Sequence, residues 1–160
     1  MTSVTYAEGS MILESPVFKK GEHLPQVYTC DGENISPPLF FKACPKDSKS
    51  LVLIMDDPEA VSGNWTHWIL FNLPPSLEGI EENIQKLPTG TKTGKNSWGK
   101  LEYGGACPPD KEHLYEFKLY ALDCVLPLEE GATQQEVQRA MAGHVLETAL
   151  LKSPYKRPFH

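Results

Sequence analysis

Leu51-Val52-Leu53-Ile54-Met55-Asp56-Asp57-Pro58, followed after a short loop by Trp65-Thr66-His67-Trp68-Ile69-Leu70-Phe71-Asn72, decides the fold class of this chain. The first stretch is a continuous apolar run that ends in turn residues, the pattern of a strand buried on both faces. Pro58 excludes helical backbone at Asp57, so the carboxylate sits at the strand's end. The second stretch alternates with period two. Strict alternation puts Trp65, His67, Ile69 and Phe71 on one face and Thr66, Trp68, Leu70 and Asn72 on the other. Both faces are mostly apolar, which predicts a central strand in a sheet covered on both sides. The connection is short, so the end of the first strand and the start of the second should meet at one edge of the sheet.

A third strong strand is predicted over His113 to Asp123, with His113, Tyr115, Phe117, Leu119 and Ala121 on its dry face. Met11-Ile12-Leu13 reads as a short strand, and Gln26 to Cys30 reads as extended. Asp31-Gly32-Glu33-Asn34 is a turn by its chemistry, with the positive φ assigned to Gly32. Ser36-Pro37-Pro38 forces extended backbone before Leu39-Phe40-Phe41. Glu81 to Leu101 is polar and reads as a long surface loop ordered by Trp98. Thr133-Gln134-Gln135-Glu136 is a capping box that starts a helix. Val137, Ala140, Met141, Val145 and Ala149 continue with helical spacing. Gly143 interrupts that pattern, giving either one long helix or two short ones. The expected class is mainly β with a helical C-terminal region, and residues 1–160 are expected to form a single domain.

The 14 prolines, placed singly or in pairs between apolar runs, favour a turn-rich β architecture. A net charge of -6 argues against nucleic acid, which demands clustered Lys and Arg. It argues equally against docking to an anionic membrane through a general field. Residues 1–9 carry no apolar core of a secretory signal, and no apolar run is long enough to cross a bilayer. Cys30, Cys44, Cys107 and Cys124 form no C-x-x-C pair, so no structural metal is expected. The default is a cytoplasmic chain with reduced thiols, with a Cys30–Cys44 disulfide left open.

The candidate chemistry lies in two turn-plus-strand segments. One carries Asp57, Glu59, Trp65 and His67. The other runs Tyr103-Gly104-Gly105-Ala106-Cys107-Pro108-Pro109 and closes on His113-Leu114-Tyr115. A lone histidine on an apolar face is most often a satisfied core residue. Two histidines at strand mouths, each beside a Gly- or Pro-rich turn, suggest a cleft with perturbed titratable groups. The small residues Gly104 and Gly105 suggest free amides in an anion-binding nest. Convergence of the two segments would suit a small anionic or zwitterionic ligand. A rival reading makes Cys107 the nucleophile of a hydrolase, with His113 or His67 as base. A third places a metal on His67, His113 and Asp57.

Taken together, Asp57-Pro58-Glu59-Ala60, Trp65-Thr66-His67-Trp68, the Gly-Ala-x-Pro-Pro turn and His113-Leu114-Tyr115 resemble the phosphatidylethanolamine-binding protein family, also called the Raf kinase inhibitor-like proteins. Cys30 to Pro38, Tyr120-Ala121-Leu122-Asp123 and Gly143-His144-Val145-Leu146 resemble its compact bacterial and archaeal branch. The resemblance covers roughly residues 11–157. It implies a large central antiparallel Greek-key sheet, a smaller sheet on one side and helices on the other. It also implies a pocket for phosphate or phosphorylethanolamine, with Asp57, Glu59, Trp65, His67, Gly105, Cys107, His113 and Tyr115 as its ligand-binding residues. The implied function is a non-enzymatic binding or regulatory protein without cofactor, acting on a kinase or protease partner; a homodimer is left open. The chain departs from the family pattern at Glu59 and Val61, where Asp and Pro are usual, and at Cys107, where Gly is usual. A cis bond before Val61 would cost about 2.5–4 kcal/mol, so a trans peptide is expected.

Overall fold

The computed structural model describes residues 9–158; the signal-peptide reading concerns residues that lie outside this range except Gly9. The chain forms β1 (Ile12–Glu14), β2 (Leu39–Lys42), β3 (Ser50–Asp57), β4 (Trp65–Leu73), β5 (Gly79–Ile80), β6 (Lys92–Thr93), β7 (His113–Leu122), helix α1 (Gln134–Met141) and β8 (Val145–Tyr155). The five-stranded sheet has the order β6-β4-β3-β7-β8, and the small sheet has the order β1-β2-β5; every strand pair is antiparallel. The order β7-β3-β4-β6 is a Greek key, because the chain returns from β6 to lie beside β3. All eight residues of β3 are buried, as its unbroken apolar run requires.

One face of the large sheet packs with the small sheet. Leu51, Leu53, Met55, Phe117 and Leu119 there meet Leu13, Leu39 and Phe41. The other face carries Val52, Ile54, Ile69 and Phe71 against Val137 and Met141 of α1. The capping box at Thr133 is present as expected, with the Thr133 side chain accepting the Glu136 N–H and the Glu136 side chain accepting the Thr133 N–H. Asp56 and Asp57 point to opposite faces. Asp56 is fully buried on the helix side, where its Oδ2 accepts from Lys118 (3.0 Å), Gln134 (2.8 Å) and Asn64 (3.1 Å). It ties the start of α1 to the sheet.

Four local expectations are corrected. The helical spacing does not continue past Met141. Gly143 takes a φ of 82°, and Val145–Tyr155 is a long strand in which Ala149, Leu151, Ser153 and Tyr155 are buried in alternation. Within it, pairing with β7 outweighs helix periodicity. Gln26–Tyr28 is a 3-10 turn after Pro25, closed by the Tyr28 N–H on the Pro25 carbonyl at 3.0 Å. The positive φ of the next turn belongs to Asn34, at 60°, while Gly32 serves close packing: a Cβ there would overlap the Gln26 carbonyl. The stretch from Glu81 to Leu101 contains β6, paired to β4, and the buried Asn96.

Candidate functional site

Strand β4 does not alternate strictly. Met55 pairs with Trp68 and Asp56 with Thr66, so His67 is the extra residue of a β-bulge. A bulge re-aims a side chain and is common beside functional sites. Here it moves His67 away from Ile69 and Phe71 and onto the face of Trp65. His67 there meets Tyr115 edge-on at 5.3 Å and Trp98 at 5.1 Å. Asp57 pairs with Trp65 across the strands, and His113 and Tyr115 arrive on the adjacent β7. Asp57, Trp65, His67, Cys107, His113 and Tyr115 line a cavity of about 350 Å³. The rest of its lining is Ala60, Val61, Ser62, Trp98, Pro108 and Pro109, apolar but for the Ser62 hydroxyl. No lysine or arginine is among its lining residues.

His113 is almost fully enclosed and lies between two carboxylates. Its Nδ1 is 2.6 Å from Asp57 Oδ2, and its Nε2 is 2.9 Å from Asp110 Oδ1. With both carboxylates ionised they only accept, so both ring nitrogens donate and the ring is an imidazolium. Burial alone would lower its pKa, but the Asp57 and Asp110 hydrogen bonds outweigh that and raise it. His67 shows the opposite balance. Its Nδ1–H donates to the Gly104 carbonyl at 2.7 Å, and burial lowers its pKa. This fixes a neutral tautomer with Nε2 as the lone-pair nitrogen. Burial, with the charge of Asp57, pushes the Tyr115 hydroxyl far up, so it stays a proton donor.

The glycine turn is built differently from the expected nest. The Gly104 N–H donates to the His67 carbonyl at 3.0 Å, and the Gly105 N–H donates to Asn34 Oδ1 at 2.8 Å. Neither amide is free for an anion. The glycines are needed for space instead: a Cβ on Gly104 would overlap the Trp98 ring, and one on Gly105 would overlap Asn34 Oδ1 and the Tyr28 carbonyl. Cys107 is bonded to Cys30, across 77 residues of sequence. Reduced thiols at these two positions, a Cys30–Cys44 link and a Cys107 thiolate nucleophile are all corrected by that bond; Cys44 and Cys124 are free. The thiols pair because the parallel bridge Thr29–Ala106 sets the two chain segments side by side. The ligand atoms of Asp57, His67 and His113 do not all gather within 4.8 Å of one another. Among the described residues, the side chains whose ligand atoms lie within 4.8 Å of one another are Asp123, Cys124 and His144, at the far end of β7.

A family model described as phosphatidylethanolamine-binding protein matches residues 14–156. The chain belongs to the phosphatidylethanolamine-binding protein family. Its relatives place it in the bacterial and archaeal branch. A UPF0098 protein of Methanothermobacter thermautotrophicus is 51% identical over 150 residues, covering 92% of this chain and 99% of the relative. A UPF0098 protein of Pyrococcus abyssi is 42% identical, covering 92% and 86%. Among solved structures, the putative phosphatidylethanolamine-binding protein homolog CT736 from Chlamydia trachomatis superposes with a TM-score of 0.86 at 41% identity, covering 92% of this chain and 97% of that one. E. coli YbcL, described as a new member of the mammalian family, gives 0.87 at 30% identity, covering 93% and 99%. Membership in the phosphatidylethanolamine-binding protein family supports a binding or regulatory role in general. No helix among the described residues is long and apolar enough to cross a membrane.

Two of the eight anticipated residues are not among the cavity's lining: Glu59 is exposed to solvent, and Gly105 lines a neighbouring cavity with Cys30, Asn34 and Trp98. Glu59 Oε1 accepts the Leu114 N–H at 2.8 Å, and Gly105 packs under Asn34. The Ala60–Val61 peptide is trans, as expected, since no described peptide bond is cis. Trp98 and Asp110 were not anticipated as site residues. Trp98 is set by Asn96, whose Oδ1 accepts the Trp98 and Lys100 N–H groups at 3.0 Å each, and by the Ser97 N–H on the Thr66 carbonyl. Asp110 stands three residues before His113, a spacing that could have been noticed.

Proposed function

We propose that the cavity holds a small phosphate-bearing ligand, such as phosphate itself or phosphorylethanolamine, without catalysing its conversion. The observation that carries this reading is the buried His113 imidazolium, fixed by Asp57 beside the neutral His67 and the Tyr115 hydroxyl. His113 Nε2–H and the Tyr115 O–H can donate to phosphate oxygens, and His67 Nε2 can take up a proton as an anion arrives. Trp65, Trp98 and the proline rim would cover the rest of the ligand. With Cys107 held in a disulfide, no thiolate is offered to an electrophile. On this reading the exposed rim around Val61 is where a kinase- or protease-type partner would sense occupancy.

Calorimetric titration of the wild-type protein with phosphorylethanolamine and with inorganic phosphate tests the proposal. Saturable binding lost in His113→Gln supports it; the same heats in both proteins would place the ligand elsewhere. Co-sedimentation with phosphatidylethanolamine vesicles tells a lipid headgroup from the free ester.

A further inference from the structure

The inference rests on the phosphate-ester reading of the cavity. We infer that Asp110 sets the site's preference for zwitterionic over purely anionic ligands: its carboxylate occupies His113 Nε2 in the free protein and pairs with the ligand's cationic group once displaced.

The two carboxylates on His113 are not equivalent. The Asp57 side chain is 5% exposed, and its second oxygen accepts the Glu59 N–H at 2.9 Å. It is fixed. The Asp110 side chain is 48% exposed and sits on the turn after Pro109, which lines the cavity. It is the carboxylate that can move. Because both nitrogens of His113 are bonded, a phosphate oxygen reaches Nε2–H only by displacing Asp110. Asp110 is thus a built-in competitor for any anion.

The charge balance then discriminates between ligands. Asp57 and Asp110 together exceed the single charge of His113, and no lysine or arginine lines the cavity. A dianion entering alone finds a displaced carboxylate beside it. A zwitterion brings an ammonium that can pair with that carboxylate and rest against the faces of Trp65 and Trp98. Asp110 therefore opposes bare phosphate while its cost to phosphorylethanolamine is offset.

The test measures dissociation constants for inorganic phosphate and phosphorylethanolamine by calorimetry, at one pH and ionic strength, in wild type, Asp110→Ala and Asp110→Asn. Wild type should prefer phosphorylethanolamine. Asp110→Ala should bind inorganic phosphate about two- to fivefold tighter, the range expected for losing one exposed ion pair. It should gain nothing for phosphorylethanolamine, so the preference collapses. Asp110→Asn, which keeps an acceptor without the charge, should fall between. A cooperative thermal transition in each variant, with its midpoint lowered only modestly by the lost pairing to His113, will show that the fold survives both substitutions. Equal shifts for the two ligands, or no shift for either, would overturn the role of Asp110 and leave the pocket reading standing. Absence of binding by either ligand to all three proteins overturns the pocket reading and this inference with it.

Discussion

Asp57→Asn should destabilise the protein, and by an amount that shrinks as pH rises. Asp57 and His113 are 3% and 1% exposed and meet at 2.6 Å. Removing one partner of a buried ion pair costs about 3–5 kcal/mol, because the other charge is left uncompensated. Two features here reduce that figure. Asn keeps an acceptor for the Glu59 N–H, and Asp110 still faces Nε2. A loss of roughly 2–3 kcal/mol is therefore expected in mild acid, about 5–10 °C in Tm for a chain of this size. The pH dependence follows from His113. Its pKa is raised in the folded state, so its contribution is fully present below the unfolded value of about 6.5 and is lost as pH rises through the folded value. His67, whose pKa is lowered by burial, is partly held up by the charge of Asp57, so the substitution lowers it further; that adds to the loss in acid and vanishes above the unfolded value, the same direction as His113. Urea unfolding of the oxidised proteins at about pH 5.5 and pH 8.5 measures both quantities without added salt. A difference below about 0.5 kcal/mol in acid, or one that grows with pH, refutes the assignment of His113 as an Asp57-bound cation.

Replacing both Cys30 and Cys107 by Ala releases a link spanning 77 residues. Chain entropy for a loop of that length sets an upper value of about 4.5 kcal/mol, so a loss of roughly 2–4 kcal/mol in urea unfolding is expected, and under 1 kcal/mol would contradict it. Phosphate binding should take up protons near neutral pH, because an anion favours the charged form of the otherwise neutral His67. Calorimetry in buffers of different ionisation enthalpy reads the uptake directly, after correction for the ligand's own ionisation; it should vanish in His67→Gln, and equal uptake in both proteins counts against His67. Gly105→Ala should cost about 1–3 kcal/mol through overlap with Asn34 and the Tyr28 carbonyl. A neutral or stabilising result, as Gly→Ala gives where space allows, would show that the turn relaxes easily.

The dry face of β7 was legible because His113, Tyr115, Phe117, Leu119 and Ala121 obey period two, and all are buried. β3 was legible because nothing interrupts its apolar run. β8 was not, since Val145 and Ala149 fit both helix and strand periods at four-residue spacing; only its partner β7 decides between them. The disulfide was illegible for a related reason. Cys44 is nearer to Cys30 in sequence, but the Thr29–Ala106 bridge, a contact between segments far apart in the chain, brings Cys107 to it instead.

The site itself depends on departures from regular pattern. Strict alternation would have left His67 among Ile69 and Phe71, beneath the helix, where an imidazole has no reason to be. One extra residue in β4 turns it toward Tyr115 and Trp98. The Gly104–His67 clasp then holds it there from both directions: the Gly104 N–H donates to the His67 carbonyl, and His67 Nδ1–H donates to the Gly104 carbonyl. The glycines that look like an open nest in sequence are therefore part of the histidine's mount. His67, His113 and Tyr115 supply side-chain polar groups to the cavity, and their protonation is set by neighbours on other elements. A sequence lists those residue types, but the protonation states that decide what binds arise only when Asp57, Asp110 and His113 meet.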